Sequence, residues 1–203
     1  MTGHDGGVAA HGRAVLTTLD RARVELGGLD RAVYGAVAST PSPTIDRAVA
    51  RISNAANYSR LWMVTAALLG AAGPSRRRAA LIGLTAVGAT SAVSNLVVKP
   101  VMSRGRPERT DSARNDGVRM PQSHSFPSGH TASAFAFSSA VGGELPALAT
   151  PLRLMATAVA YSRVHTGVHY PGDVVIGALL GAGIGTATRL LAHRGGWAVV
   201  SGR

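Results

Sequence analysis

The chain contains no cysteine. This excludes disulfide frameworks, thiolate zinc sites and thiol nucleophiles, and leaves the redox compartment unread. Aromatic residues are scarce, at 4%. A nucleic-acid binder presents a basic stripe interleaved with rings for stacking; here rings are few and the arginines are spread along the chain, so no nucleic-acid partner is expected. Charge is also thin, at 15% of residues against roughly 25% in an ordinary soluble domain. The shortfall is mainly acidic, with 10 Asp and Glu facing 21 Lys and Arg for a net charge of +11. Lysine is nearly absent: Lys99 stands alone among arginines. Met1 to Ala10 is polar and glycine-rich, without the apolar stretch of a signal peptide.

Hydrophobic residues make up 46% of the 203, too many for intrinsic disorder and enough for one domain. A strongly basic chain meets an anion. With nucleic acid set aside, the remaining partners are an acidic membrane surface and a phosphorylated substrate.

Residues 1–58 read as amphipathic. Val15, Leu19, Ala22, Leu26, Leu29 and Val33 recur at helical spacing, and Gly27-Gly28 is expected to break or bend that helix. After Ser39-Thr40-Pro41, Ser42 is placed to cap and Pro43 to open a second helix, with Ile45, Val49, Ile52 and Ala56 on one face. Both pieces carry too many charges to span a bilayer, so they are expected at the membrane surface or packed on the core. From residue 60 the texture changes. Leu61 to Gly73, Ala79 to Val98, Thr131 to Gly143, Leu145 to Ser162 and Val174 to Ala187 are apolar stretches broken by Arg153 alone. Ala79 to Val98 is long enough to cross a hydrocarbon core of about 30 Å; the others need neighbours to complete them. Gly177, Gly181 and Gly185 repeat every four residues inside the last stretch, a small-xxx-small pattern that lets helix backbones approach closely.

Polar clusters at the ends of apolar helices carry the chemistry in such a chain. Lys99, Arg104, Gly105, Arg106 and Pro107 follow the longest stretch. Phe126-Pro127-Ser128-Gly129-His130 precedes the next. Tyr161-Ser162-Arg163, His165, His169 and Asp173 lie between the last two. If the stretches alternate direction across a bilayer, all three clusters land on one face. Lys99, Arg106 and Arg163 are fixed cations suited to phosphate oxygens. Ser128 and Gly129 open a helix whose N-terminal amides form an anion cradle. His130 and His169 supply an acid and a nucleophile, and Asp173, one helical turn on, holds an imidazole in one tautomer. Together they read as phosphoryl transfer through a phosphohistidine. His165, His169 and Asp173 at i, i+4 and i+8 also resemble a metal site, but Pro171-Gly172 argues against the continuous helix it needs. Arg60, Arg153 and Arg189 read as snorkelling anchors, His4, His11 and His193 as solvated, and His124 as lining the entrance.

These clusters resemble the three signature motifs of the type 2 phosphatidic acid phosphatase superfamily: Lys99 to Arg106-Pro107, Pro127-Ser128-Gly129-His130, and Ser162-Arg163 with His169 and Asp173. The resemblance covers residues 60 to 193. It implies an all-α, polytopic membrane bundle of about five to six spanning helices preceded by the amphipathic segment. The chain then divides into an N-terminal region (1–58), a membrane phosphatase core (59–193) and a tail (194–203). It further implies that His169 attacks phosphorus, Asp173 orients it, and His130 protonates the leaving oxygen and then activates water. Lys99, Arg106, Ser128, Gly129 and Arg163 hold the phosphoryl oxygens, with no metal or cofactor. The implied substrate is a phosphorylated lipid: phosphatidic acid, phosphatidylglycerol phosphate, a polyprenyl phosphate or diphosphate, or a polyprenyl-linked sugar phosphate. Related enzymes use the same pocket for vanadate-dependent halide oxidation, one alternative; a non-catalytic binder of anionic lipid is another. The orienting arginines divide evenly between the two faces, so the resemblance alone places the site on the extracytoplasmic side of a bacterial plasma membrane.

Overall fold

The computed structural model describes residues 24–39, 42–102, 104–109 and 117–195. Among them every regular element is a helix. Helix α1 spans residues 24–38, and α2 is Pro43–Ala55. A short 3-10 turn, Asn57–Ser59, leads into α3, Arg60–Ala71. Helix α4 starts at Pro74 and runs as one rod to Val101, its last turns widened into a π-helical stretch over Val93–Val98. Then come α5 (Gly129–Glu144), α6 (Ala149–His165) and α7 (Pro171–Arg194).

The elements follow local chemistry. Pro43, Pro74 and Pro171 each stand in the first turn of a helix, where a missing N–H costs nothing and the fixed φ is already helical. Gly27-Gly28 does not break α1, which passes through both residues unbroken. Two glycines cost roughly 1 kcal/mol each in helix propensity, and tertiary contacts described below hold the segment helical. Val15, Leu19, Ala22, residues 110–116 of the loop between α4 and α5, and the tail beyond Gly195 lie outside the described residues.

Helix α5 is the hub, packing on α4, α6 and α7. Trp62 of α3 meets Phe137 of α5 with ring centroids 5.3 Å apart, in a core that also takes Val87, Val141, Leu152 and Val159. Gly83 of α4 makes room for this contact, since a Cβ there would lie 2.6 Å from Val141 and 2.9 Å from Phe137.

The seam between α5 and α7 is the glycine ladder. A Cβ on Gly177, Gly181 or Gly185 would come within 2.7, 2.1 or 2.3 Å of the carbonyl oxygens of Ser128, Ala132 and Ala136 respectively. The two backbones touch, one turn at a time, because these three positions carry no side chain. The contact fixes the N-terminus of α5 against that of α7, where the second and third sequence clusters begin.

Two of the seven described helices, Pro74–Val101 and Pro171–Arg194, are long and apolar enough to cross a membrane. Helices α3, α5 and α6 have 12, 16 and 17 residues, which gives about 18–26 Å at 1.5 Å per residue.

Candidate active site

The third cluster is split by a helix boundary. Helix α6 ends at His165 and α7 begins at Pro171, so His169 sits in the connecting turn while Asp173 occupies the first turn of α7. The backbone N–H groups of Val168 and His169 both donate to the Arg163 carbonyl at 3.0 Å, which folds the turn back over α6. His165 is thereby separated from the pair. Its Nε2 meets the Asp46 carboxylate of α2 at 2.7 Å, and His165, His169 and Asp173 form no common ligand set.

His169 is buried and held at both ring nitrogens. Nδ1 lies 3.6 Å from Asp173 Oδ2 and 3.3 Å from Ser125 Oγ. On the other side, Arg106 Nη1 is 3.3 Å from Nε2. Asp173 is completely buried and its carboxylate is fully engaged. Oδ2 accepts from Ser125 Oγ and from the Tyr170 N–H (3.0 Å), and Oδ1 accepts from Arg104 Nη1 (2.9 Å). A carboxylate so held favours the Nδ1–H tautomer and leaves Nε2 unprotonated, facing the Arg106 guanidinium. Burial above all, with the nearby charges of Arg106 and Arg163 and against the pull of Asp173, pushes the His169 imidazolium down to about 4. The ring is therefore neutral at physiological pH.

The cations are arranged for an anion. Arg106 is held by carbonyls: Val168 O (2.8 Å), Ser123 O (2.9 Å) and His124 O (3.2 Å). Arg163 is 1% exposed. Its Nη1 donates to Ser53 Oγ of α2 at 2.6 Å, and its buried Nε has no partner among the described residues. A buried guanidinium without a carboxylate is costly unless an anion completes it. Lys99 Nζ donates to Asn95 Oδ1 at 3.0 Å and lies 3.9 Å from where a Cβ on Gly129 would stand.

Of the second cluster, Ser128 is the residue before α5 and His130 is in its first turn. The Ser128 N–H is not free for a ligand, because it donates to the Asp173 carbonyl at 2.9 Å. The open amides of that helix end therefore start at Gly129. The Ser128 hydroxyl pairs with Thr131 Oγ1 at 3.0 Å. His130 Nε2 is 3.0 Å from Asn57 Oδ1, and His130, Gly129 and Lys99 share the wall of a cavity of about 220 Å³. His124 is exposed in the loop above.

Five participants escaped the reading of the sequence. Ser125 bridges His169 and Asp173. Arg104, seen only as part of a basic cluster, bridges Asp173 and Asp30 of α1, the latter at 2.6 Å, and stacks on the Tyr170 ring at 4.5 Å. Burial works against its charge and the two carboxylates outweigh it, holding the guanidinium above its usual range. Asp30 also accepts the Gly172 N–H at 2.7 Å. Asn57 meets His130, and Ser53 meets Arg163. Asp30, Ser53 and Asn57 all lie before residue 59, so the N-terminal region supplies partners to the residues behind all three clusters.

The sequence pattern of the PAP2 superfamily matches residues 79–197. The chain is 34% identical over 168 residues to the decaprenylphosphoryl-5-phosphoribose phosphatase of Mycobacterium tuberculosis, spanning 77% of this chain and 90% of that protein. It is 36% identical over 153 residues to the protein of the same description from Mycolicibacterium smegmatis, spanning 72% of this chain and 77% of that one. Among solved structures, the fold is similar to the transmembrane PAP2-type phosphatidylglycerolphosphate phosphatase of Bacillus subtilis (TM-score 0.64, 22% identity, 88% of this chain and 90% of that one). It is equally similar to Aquifex aeolicus LpxE (TM-score 0.63, 23% identity, 79% of this chain and 94% of that one). The chain belongs to the PAP2 superfamily. Within it the chain is a phosphatase, a phosphoric monoester hydrolase.

Proposed function

We propose that the chain removes the terminal phosphate of a polyprenyl-linked sugar phosphate in a bacterial membrane through a phosphohistidine at His169. The observation that carries this reading is the His169 environment: a buried, neutral imidazole with Nδ1 against Asp173 and Nε2 against Arg106. The mycobacterial relatives, whose substrate is named as decaprenylphosphoryl-5-phosphoribose, support the choice among lipid phosphates.

In the first step the Nε2 lone pair attacks phosphorus and the bond to the ester oxygen breaks. His130 gives that oxygen its proton, so the alcohol leaves neutral. Asp173 stabilises the charge that develops on the imidazole. Lys99, Arg106, Arg163, the Gly129 amide and the Ser128 hydroxyl surround the phosphoryl oxygens and take up their charge. In the second step a water loses its proton to His130 and attacks phosphorus. The P–N bond breaks, inorganic phosphate leaves, and His169 is again neutral. None of these transfers requires a metal.

For the membrane arrangement, α3 to α7 serve as five spans and α1 and α2 lie at the interface, as the division at residues 58 and 59 implies. Support comes from the outward apolar side chains on the bundle, such as Leu68, Leu81, Leu154, Ile176 and Leu179, and from Leu26, Leu29 and Val33, which are exposed on α1. An apolar surface of this extent suits lipid.

The test is chemical trapping. Wild-type protein given a radiolabelled phosphomonoester and quenched in base should retain label that is stable to alkali and lost in acid. His169→Asn should retain none. Turnover by His169→Ala above about a hundredth of the wild-type rate would rule the covalent route out, since general acid–base help alone is worth roughly that factor.

A further inference from the structure

Beside the reacting centre lies a chamber that reaches beyond the residues assigned to the phosphate. The cavity of about 220 Å³ that contains His130, Lys99 and Gly129 extends away from them between α4, α5 and the Asn57–Ser59 turn. His169 is not one of its walls. Its other polar walls are Ser59, Ser91, Ser94, Asn95 and Ser133. Four hydroxyls and a carboxamide thus surround a small volume next to His130.

Ser91, Ser94 and Asn95 stand at i, i+3 and i+4 of α4, with Lys99 four residues further on, so one helix face carries all of them. Asn95 is tied at both ends, its Nδ2 donating to the Ser91 carbonyl (2.9 Å) and its Oδ1 accepting from Lys99. Ser94 differs. It is 1% exposed, and its hydroxyl has no hydrogen-bond partner among the described residues. A buried hydroxyl left without a partner costs on the order of 1–3 kcal/mol, and a ligand hydroxyl in this cavity would remove that cost. Two further features mark the place as built for a ligand. Tyr58 and Ser59, at the rim, hold φ of 54° and 57°, a left-handed conformation that non-glycine residues keep only where the surroundings impose it. Ser94 and Asn95 also fall in the π-helical stretch Val93–Val98, a device found often at functional sites.

Chemistry says which part of the substrate enters. In an in-line displacement the leaving oxygen lies across phosphorus from the attacking nitrogen. The attacking nitrogen belongs to His169, and the proton for the leaving oxygen comes from His130. A cavity walled by His130 and not by His169 is therefore on the leaving-group side. We infer that it is the subsite for the group esterified to the phosphate, and that its hydroxyl and amide walls select a small polyol, a furanose or its like, over an aliphatic or diacylglycerol alcohol. The volume agrees, lying below the roughly 300–1,000 Å³ that encloses drug-sized ligands. The inference rests on the phosphatase reading above and adds the determinant of its specificity.

The experiment measures kcat/KM in detergent for two soluble phosphomonoesters, methyl ribofuranoside 5-phosphate and n-pentyl phosphate, which share a primary leaving alcohol and differ in hydroxyls. The wild type should favour the furanoside by tenfold or more. In Ser94→Ala, which removes the hydroxyl and adds nothing at a buried position, that ratio should fall about tenfold, the worth of one hydrogen bond of about 1.4 kcal/mol. Ser133→Ala provides a second reading should that variant fail to fold. A wild-type ratio near one, or a ratio unchanged in the serine variants, overturns the subsite while leaving the phosphatase intact. Failure of the wild type on both esters overturns the subsite if a polyprenyl-linked sugar phosphate is still hydrolysed, and the proposed substrate with it if that lipid also fails.

Discussion

Arg104 donates to Asp173 at 2.9 Å from a position two residues before Arg106. One arginine of the cluster thus serves the carboxylate, while the other faces the imidazole beside that carboxylate. Arg104 is itself gripped by Asp30 of α1, so the N-terminal helix reaches the candidate nucleophile through two intermediates.

From this chain comes the first prediction. Arg104→Gln removes one of three donors to Asp173 and leaves Ser125 and the Tyr170 N–H in place. By analogy with the partners that orient metal ligands, kcat should fall about 10–100-fold with KM little changed. Asp30→Asn should give a smaller loss in the same direction, because it weakens the grip on Arg104 rather than removing it. Steady-state kinetics on a soluble phosphomonoester checks both. A rise in KM with kcat intact would mean that Arg104 holds substrate instead.

A second prediction concerns protons. His169 titrates at about 4 in the folded protein against about 6.5 in an unfolded chain. Between those values the unfolded state binds the proton and the native state does not. This group's contribution to stability is therefore complete above pH 6.5 and is lost as pH falls toward 4. An NMR titration of the ring in detergent should give a midpoint near 4. Arg106→Gln should move it upward, since the Arg106 charge is one of the causes of the depression. A midpoint near 6.5 in the wild type would contradict the buried, neutral resting state.

The glycine ladder supplies a third. Gly181→Ala places a methyl 2.1 Å from the Ala132 carbonyl oxygen, and only separation of α5 from α7 relieves it. Overpacking of this kind costs typically 1–3 kcal/mol. Gly183, two residues on, has nothing within 4 Å. Gly183→Ala should be neutral or slightly stabilising through helix propensity. Thermal denaturation of the two variants side by side separates close packing from mere glycine content.

The ladder was legible in the sequence because four-residue spacing of small residues inside an apolar run has one good physical use. The three motif clusters were legible because charge and imidazole at apolar helix ends are too costly to be idle. The Asp30–Arg104 link was not legible, since the two residues are 74 apart in sequence and nothing local pairs them. Helix α1 was legible as amphipathic, with two placements left open. Its apolar residues Leu26, Leu29 and Val33 point outward while Asp30, on its polar side, is buried against the site. Periodicity identifies two faces of a helix but not which one meets protein. Gly27-Gly28 suggested a break because local propensity was weighed without the tertiary contacts that Asp30 and Tyr34 make. Tyr34 packs edge-on against Tyr170 with centroids 5.9 Å apart.

The last prediction concerns the face on which the site opens. Helix α4 carries Pro74 at one end and Lys99 near the other, so Ser75 and the site lie at opposite ends of the rod, about 36 Å apart along its axis at 1.5 Å per residue. Arginine counts near the span ends are balanced and do not orient the bundle. Ion pairing does not break the tie: Arg104 is bonded to two carboxylates at the site end, and Arg78 to Glu144 (2.7 Å) at the other. The contiguous Arg76-Arg77-Arg78 block is the densest positive feature next to a span, and the proposed topology puts it in the cytoplasm with the site outside. The lack of native cysteine makes the test clean. Gln122 and Ser75 are both exposed, one in the loop over the site and one at the start of α4. In intact cells a membrane-impermeant maleimide should label Gln122→Cys and spare Ser75→Cys, and permeabilised cells should label both. The reverse pattern in intact cells would place the site in the cytoplasm and restrict its substrates to phosphorylated lipids presented on the inner leaflet.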